Sequence, residues 1–153
     1  MDWTFTTGDL DADDVQALLA LHFADMRALS PPDACNVLAE DGLRDPAITF
    51  WSLREKGVLL AIGALKELAP SHGEIKSMRT APEARGRGAG KAMLHRIFVE
   101  ARRRGYARLS LETGSTEPFL PALKLYERNG FVRCAPFGGY TDTPFTRFLT
   151  VEL

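Results

Sequence analysis

Apolar residues along this chain recur with a period of two in some stretches and near four in others, and each switch marks a new element. Trp3-Thr4-Phe5-Thr6 alternates and predicts a short first strand. Asp11, Asp13 and Asp14 then lead into Val15, Leu18, Leu19, Leu21 and Phe23. That spacing is helical, and the acidic residues suit the positive end of a helix. Ser30-Pro31-Pro32-Asp33 stops it, because proline cannot continue a helix and restricts the residue before it. Cys35, Val37, Leu38 and Leu43 predict a second helix. Three strands follow, over Ile48–Leu53, Val58–Leu65 and Glu74–Thr80, with turns at Glu55-Lys56-Gly57 and Pro70-Ser71-His72-Gly73. Ala89, Met93, Ile97 and Ala101 give the next helix one apolar face, and Gly105 stops it. Leu109–Thr113 is a strand; Phe119, Ala122, Leu123 and Tyr126 lie at helical spacing; Asn129-Gly130 ends that helix. Phe131–Cys134 and Phe145–Val151 close the chain as strands.

This order predicts a mixed sheet with helices packed against it, an α/β (α+β) arrangement, in one domain spanning residues 1–153. The unit from Glu74 to Thr113 should be a parallel strand–helix–strand crossover. Composition adds exclusions. Hydrophobic residues make up 45% and charged residues 25%, which excludes a mostly disordered chain. The net charge of −1 provides no overall basic field to draw the molecule to nucleic acid or a membrane. No apolar run approaches the roughly 18 residues of a membrane span. Met1-Asp2-Trp3-Thr4 does not begin a secretory signal, so a cytoplasmic location is expected. Cys35 and Cys134 lack metal-ligand spacing and are read as reduced thiols.

The chemistry concentrates in Arg85-Gly86-Arg87-Gly88-Ala89-Gly90-Lys91, between a strand and a helix. Glycines there let the backbone turn tightly, and free N–H groups at a helix start bind anions. From Lys76 to Arg108, ten Lys/Arg face only Glu83 and Glu100. A phosphate or pyrophosphate is the expected guest. A Walker A loop would need glycine at Arg85 and a hydroxyl residue at Ala92; a dinucleotide fingerprint would need glycine at Lys91. A glycine-rich turn that only caps a helix would not need three cations.

Arg85, Gly88 and Gly90 instead match an R-x-x-G-x-G pattern. With Met78-Arg79-Thr80 before it and Leu125-Tyr126-Glu127-Arg128-Asn129-Gly130-Phe131 after it, the chain resembles the GCN5-related N-acetyltransferase (GNAT) superfamily. More narrowly, Gly73–Thr80 and Ser110–Gly114 resemble a bacterial subgroup of poorly defined substrate. The resemblance implies a mostly antiparallel central sheet of about six to seven strands, with a splayed parallel pair at the cofactor site and about four flanking helices. It implies acetyl-CoA as donor and no metal. Backbone groups of Met78, Arg79 and Thr80 would pair with its pantetheine arm. The segment Arg85, Gly86, Arg87, Gly88, Ala89, Gly90 and Lys91 would hold its pyrophosphate.

For catalysis, the resemblance makes Tyr126 the proton donor to the departing thiolate. From spacing alone, Tyr126 is equally an aromatic on a buried helix face. The base is open between Glu74, Glu112, where many relatives carry asparagine, and His22, whose ordinary pKa allows proton exchange near neutrality. His22, Asp25 and Met26, together with Glu112 and Tyr140 of the Phe137-Gly138-Gly139-Tyr140 loop, are candidates for holding a small amine acceptor, amino-acid-like or otherwise polar, with a protein side chain as the alternative. Homodimers are frequent in such families, and a dimer interface could complete the acceptor pocket. Two other readings stand beside the enzyme: a catalytically inactive acetyl-CoA sensor, and a nucleic-acid-binding module built on Arg102-Arg103-Arg104. The second lacks any recognised nucleic-acid motif.

Overall fold

The computed structural model describes residues 2–153. Seven strands form one sheet: β1 (Trp3–Thr7), β2 (Ile48–Glu55), β3 (Val58–Ala69), β4 (His72–Thr80), β5 (Arg108–Gly114), β6 (Val132–Arg133) and β7 (Thr146–Glu152). Their spatial order is β1-β2-β3-β4-β5-β7-β6. All neighbouring pairs are antiparallel except β4 and β5. Among the described residues there are three α-helices, α1 (Asp13–Leu29), α2 (Ala89–Arg103) and α3 (Leu120–Arg128).

Two expectations fail for local reasons. Residues 35–43 do not form a helix. Short 3₁₀ turns at Pro32–Ala34 and Glu40–Arg44 flank an irregular stretch. Leu38 and Leu43 have no apolar partner at the intervening helical position, where Gly42 stands. The helix count is therefore three rather than four. The strand expected at Phe131–Cys134 shrinks to Val132–Arg133. Phe131 instead belongs to the close of α3: its N–H bonds to the Tyr126 carbonyl, and its ring packs edge-on to Tyr126 at 5.5 Å and tilted against Phe98 at 5.9 Å.

The predicted apolar face of α2 is the buried one. Ala89, Met93, Ile97 and Ala101 are joined there by Leu94 and Phe98. The helix lies so close to β3 that a Cβ on Gly63 would sit 2.7 Å from Met93 Cγ.

Strand β4 carries the feature that builds the site. Its register with β3 steps from Ala64↔Lys76 to Ile62↔Arg79, so β4 holds one extra residue. Ser77 lies within this bulge, in the left-handed region at φ 53°. The bulge reverses the alternation of side chains. Gly73, Ile75, Met78 and Thr80 face α2 and its neighbours; Met78 Sδ meets the Gly63 position and Thr80 Oγ1 the Gly90 position. Glu74, Lys76 and Arg79 face the opposite side, toward α1 and the segment before β7. The parallel ladder pairs His72–Glu74 with Arg108–Ser110 and then stops. Beyond it the two strands part, and the gap becomes a cleft.

Candidate active site

The cleft has a volume of about 510 Å³. Strands β4 and β5 supply its walls, α3 and the Pro118-Phe119 turn one end, and α1 with residues 34–38 the other. Gly114, where β5 ends, is packed tightly against aromatic rings. A Cβ there would lie 2.5 Å from Phe145 Cζ and 2.6 Å from Phe119 Cδ2. Gly114→Ala is expected to destabilise the protein by about 1–3 kcal/mol, because rigid rings must shift. A lowered urea midpoint with unchanged m-value would report it.

In the loop before α2, Gly86 and Gly88 have φ of 80° and 84°, and nothing lies within 4 Å of where their Cβ atoms would be. Gly88 is the N-cap of α2, no side chain caps the helix, and its first turn contains no acidic residue. The first N–H groups of α2 have no acceptor within the helix, so they are available to an anion. Arg85 and Gly86 line the cleft. Arg87 turns away from it: its guanidinium bonds Glu55 at 2.6 Å and sits 5.9 Å from the Trp3 ring centre. Lys91 is exposed, and Ala89 is buried in the core. These features suit the pyrophosphate of a coenzyme A thioester, held mainly by backbone.

Tyr126 lines the cleft and is 6% exposed. Burial, assisted by the negative charge of Glu112, pushes its hydroxyl pKa well above the ordinary value, so it keeps its proton. Glu112 also lines the cleft. Burial raises its pKa, while Lys76 and Asn36 oppose that shift. Met78, Arg79 and Thr80 line the same space.

Of the residues expected on the acceptor side, His22 and Met26 line the cleft. Asp25 does not; it bonds the Arg79 guanidinium at 2.5 Å. Glu74 is 1% exposed and does not reach the cleft. It accepts hydrogen bonds from Tyr140 at 2.5 Å and Lys76 Nζ at 3.2 Å, and Lys76 Nζ donates to Tyr140 at 2.6 Å. Tyr140 therefore reaches the site only through this buried triad. Sequence reasoning passed over Lys76, Ser77 and Asn36, all of which line the cleft. Lys76 was detectable, since Glu74 and Lys76 are charged residues two apart in a strand otherwise fit for burial. Asn36 was hidden by the helix expected around it.

His22 is held neutral. Burial, with the adjacent Arg79 cation, lowers its pKa to about 4, against a smaller opposing effect of Asp25. A histidine with a lowered folded pKa binds its proton less readily in the fold than in the open chain. Its stabilising contribution is therefore complete above the unfolded value and is lost as pH falls from about 6.5 toward 4. The shift corresponds to about 3 kcal/mol. His22→Gln should flatten the acid limb of a stability-against-pH curve in that window.

Cys35 and Cys134 are free thiols, and Cys35 lies at the cleft wall. Among the described residues, no group of three or more His, Cys, Asp or Glu side chains is placed to hold a metal ion. Nor is any helix among the described residues long and apolar enough to cross a membrane.

A mostly antiparallel sheet with one splayed parallel pair, opening beside an uncapped helix start, is the architecture of the GNAT fold. The chain belongs to the acetyltransferase (GNAT) family, whose model matches residues 15–131. It is 48% identical to the Bacillus subtilis protein described as the uncharacterized N-acetyltransferase YsnE, over 95% of this chain and 96% of that one. It is 34% identical to the IAA acetyltransferase of Azospirillum brasilense, with 82% of this chain and 81% of that one covered. Among solved structures, a GNAT family acetyltransferase from Elizabethkingia anophelis with acetyl-CoA bound shares the fold at TM-score 0.74 and 16% identity, over 99% of each chain.

Proposed function

We propose that this protein transfers the acetyl group of acetyl-CoA to the primary amine of a small molecule, by direct attack while both substrates are bound. The observation that carries this reading is a single cleft that runs from Arg85 and Gly86, in the loop leading into the uncapped start of α2, to Tyr126 and Glu112. Acetyl-CoA supplies an activated thioester. The neutral amine nitrogen forms a bond to the thioester carbonyl carbon as the carbon–sulfur bond breaks. Glu112, kept partly protonatable by burial, takes the proton the amine gives up, and Tyr126 donates its proton to the departing sulfur. Backbone N–H groups around Gly86–Lys91 hold the pyrophosphate, with Arg85 beside them. Glu74 is left to structure, since its carboxylate is taken up by Lys76 and Tyr140.

The nucleic-acid reading loses support, because several basic side chains near the supposed band are internally paired. Arg103 and Arg104 bond Glu100, and Arg87 bonds Glu55. A sensor that binds acetyl-CoA without turnover would use the same loop but would have no use for Tyr126 and Glu112 in the cleft.

A thermal-shift titration tests the donor. At one hundred times its dissociation constant, acetyl-CoA should stabilise by about 2.7 kcal/mol and raise the midpoint by roughly 5–10 °C. Free coenzyme A should act similarly, and ATP and NAD should not. No shift at millimolar acetyl-CoA would overturn the reading. IAA, from which some relatives take their name, belongs in the acceptor panel; its acetylation in preference to every amine would replace the amine class.

A further inference from the structure

We infer that the acceptor is an amino acid in the broad sense: its carboxylate docks between Lys76 and Arg79 while its amine faces Glu112. The inference rests on the transferase reading and names the substrate class of the same cleft.

It starts from the bulge. Ser77 is the extra residue that brings Lys76 and Arg79 onto the same face of β4. In an unbroken strand of the same residues they would project to opposite sides, because three residues of regular strand reverse a side chain's direction. Both cations line the cleft, and the acidic partner of each lies outside it: Glu74 behind Lys76, and Asp25 behind Arg79. Partnering is also incomplete. Lys76 Nζ gives hydrogen bonds to Glu74 and Tyr140, leaving one of its three N–H donors without an assigned acceptor. Arg79 sends one terminal nitrogen to Asp25, and its buried Nε has no partner. Two further buried polar atoms at this end of the cleft, Ser77 Oγ and His22 Nδ1, also have none.

Buried polar groups are rarely left unpaired, and several on residues lining one cleft point to a missing hydrogen-bonding guest. Two cations lining one cleft from the same strand select an anion, and a flat carboxylate matches the guanidinium fork. The opposite requirement appears across the gap. Glu112, on β5, is the one acidic side chain among the described residues that lines the cleft. An ammonium would be drawn to it and, once deprotonated there, would stand near Tyr126. The anion-binding pair and the amine-binding carboxylate thus sit on facing strands, which suits a short zwitterion. Arg85, the remaining cation of the lining, lies at the phosphate-loop end and is accounted for by the coenzyme.

The test compares matched amines under saturating acetyl-CoA. Each α-, β- and γ-amino acid in the panel is run beside its primary carboxamide and its decarboxylated amine. The expected result is a kcat/KM at least about 30-fold higher for the acid than for its carboxamide, the scale of a lost charge-assisted hydrogen bond or more. Arg79→Gln should narrow that ratio mainly by raising KM for the acid more than KM for the carboxamide. It leaves only half-exposed Asp25 without its partner, so the fold should survive; Glu74→Gln/Lys76→Met, which removes the buried charges together, is the second variant. Carboxamides or decarboxylated amines turned over as well as the acids would overturn the carboxylate site and leave the transferase reading standing. A preference for acids that Arg79→Gln and the double variant both leave intact would also overturn it. If no amine is turned over while acetyl-CoA binds, the transferase reading itself fails, and this inference with it.

Discussion

Tyr126→Phe should lower kcat for acetyl transfer by roughly 100-fold to 1,000-fold, the range of a lost general acid, while acetyl-CoA affinity stays nearly unchanged. The substitution removes only the hydroxyl. The ring keeps its edge-on contact with Phe131, and the carbonyl of residue 126 keeps its bonds to the N–H groups of Asn129 and Phe131. What is lost is an O–H that burial and Glu112 keep protonated throughout the neutral range. A departing thiolate with an ordinary thiol pKa near 8.5 then leaves unassisted. The expected signature is therefore a fall in kcat with little change in the coenzyme's dissociation constant by calorimetry. An equal loss of binding and turnover would assign Tyr126 to positioning the coenzyme or to core packing.

Lys76→Met should be the most destabilising single change near the cleft, at about 3–5 kcal/mol. Glu74 is 1% exposed, and removal of the ammonium leaves its charge buried with only the Tyr140 hydroxyl as partner. Such an uncompensated carboxylate costs far more than the ion pair contributes. Pairing Lys76→Met with Glu74→Gln should recover most of the loss, since the amide can still accept from Tyr140 and no charge is stranded. Urea unfolding of the two single variants and the double variant measures the coupling. A mild Lys76→Met effect would mean that Glu74 is reached by solvent or takes up a proton instead.

The architecture was legible where hydrophobic period and stop signals agreed. Helix α2 is the clearest case: its residues at spacing four are the buried ones, and Gly105 follows its end with φ of 79°. The meander of β2, β3 and β4 was equally readable, because long apolar runs are separated by turn residues. The glycine turn before α2 was legible as well, since the positive φ of Gly86 and Gly88 is a property glycine supplies locally. Arg87 was less so. Its place in the motif says nothing of Glu55 and Trp3, which come from the far edge of the sheet and hold it there.

The acceptor end was the least legible, for a physical reason. A β-bulge has no reliable mark in a single sequence, yet the bulge at Ser77 decides that Arg79 joins Lys76 instead of Met78. Read with unbroken alternation, Glu74, Lys76, Met78 and Thr80 share a face, and the cation pair disappears. Glu74 was likewise visible as a carboxylate near the right place. Its burial depends on Tyr140, 66 residues away, which no local pattern encodes. Residues 35–38, which line the cleft at the α1 end, have no regular structure, so neither period could announce them.

The central claim is acetyl transfer in the β4–β5 cleft, and isotope tracing tests it most directly. The protein is incubated with acetyl-CoA labelled with carbon-13 in the acetyl group, together with the amine panel, and the products are read by mass spectrometry while free thiol is counted. Label is expected on the acceptor nitrogen, with one thiol released for each acetyl group transferred and near loss of both in Tyr126→Phe. Saturation of the protein by acetyl-CoA with the label never leaving the coenzyme would contradict it, and would make this cleft a binding site without chemistry.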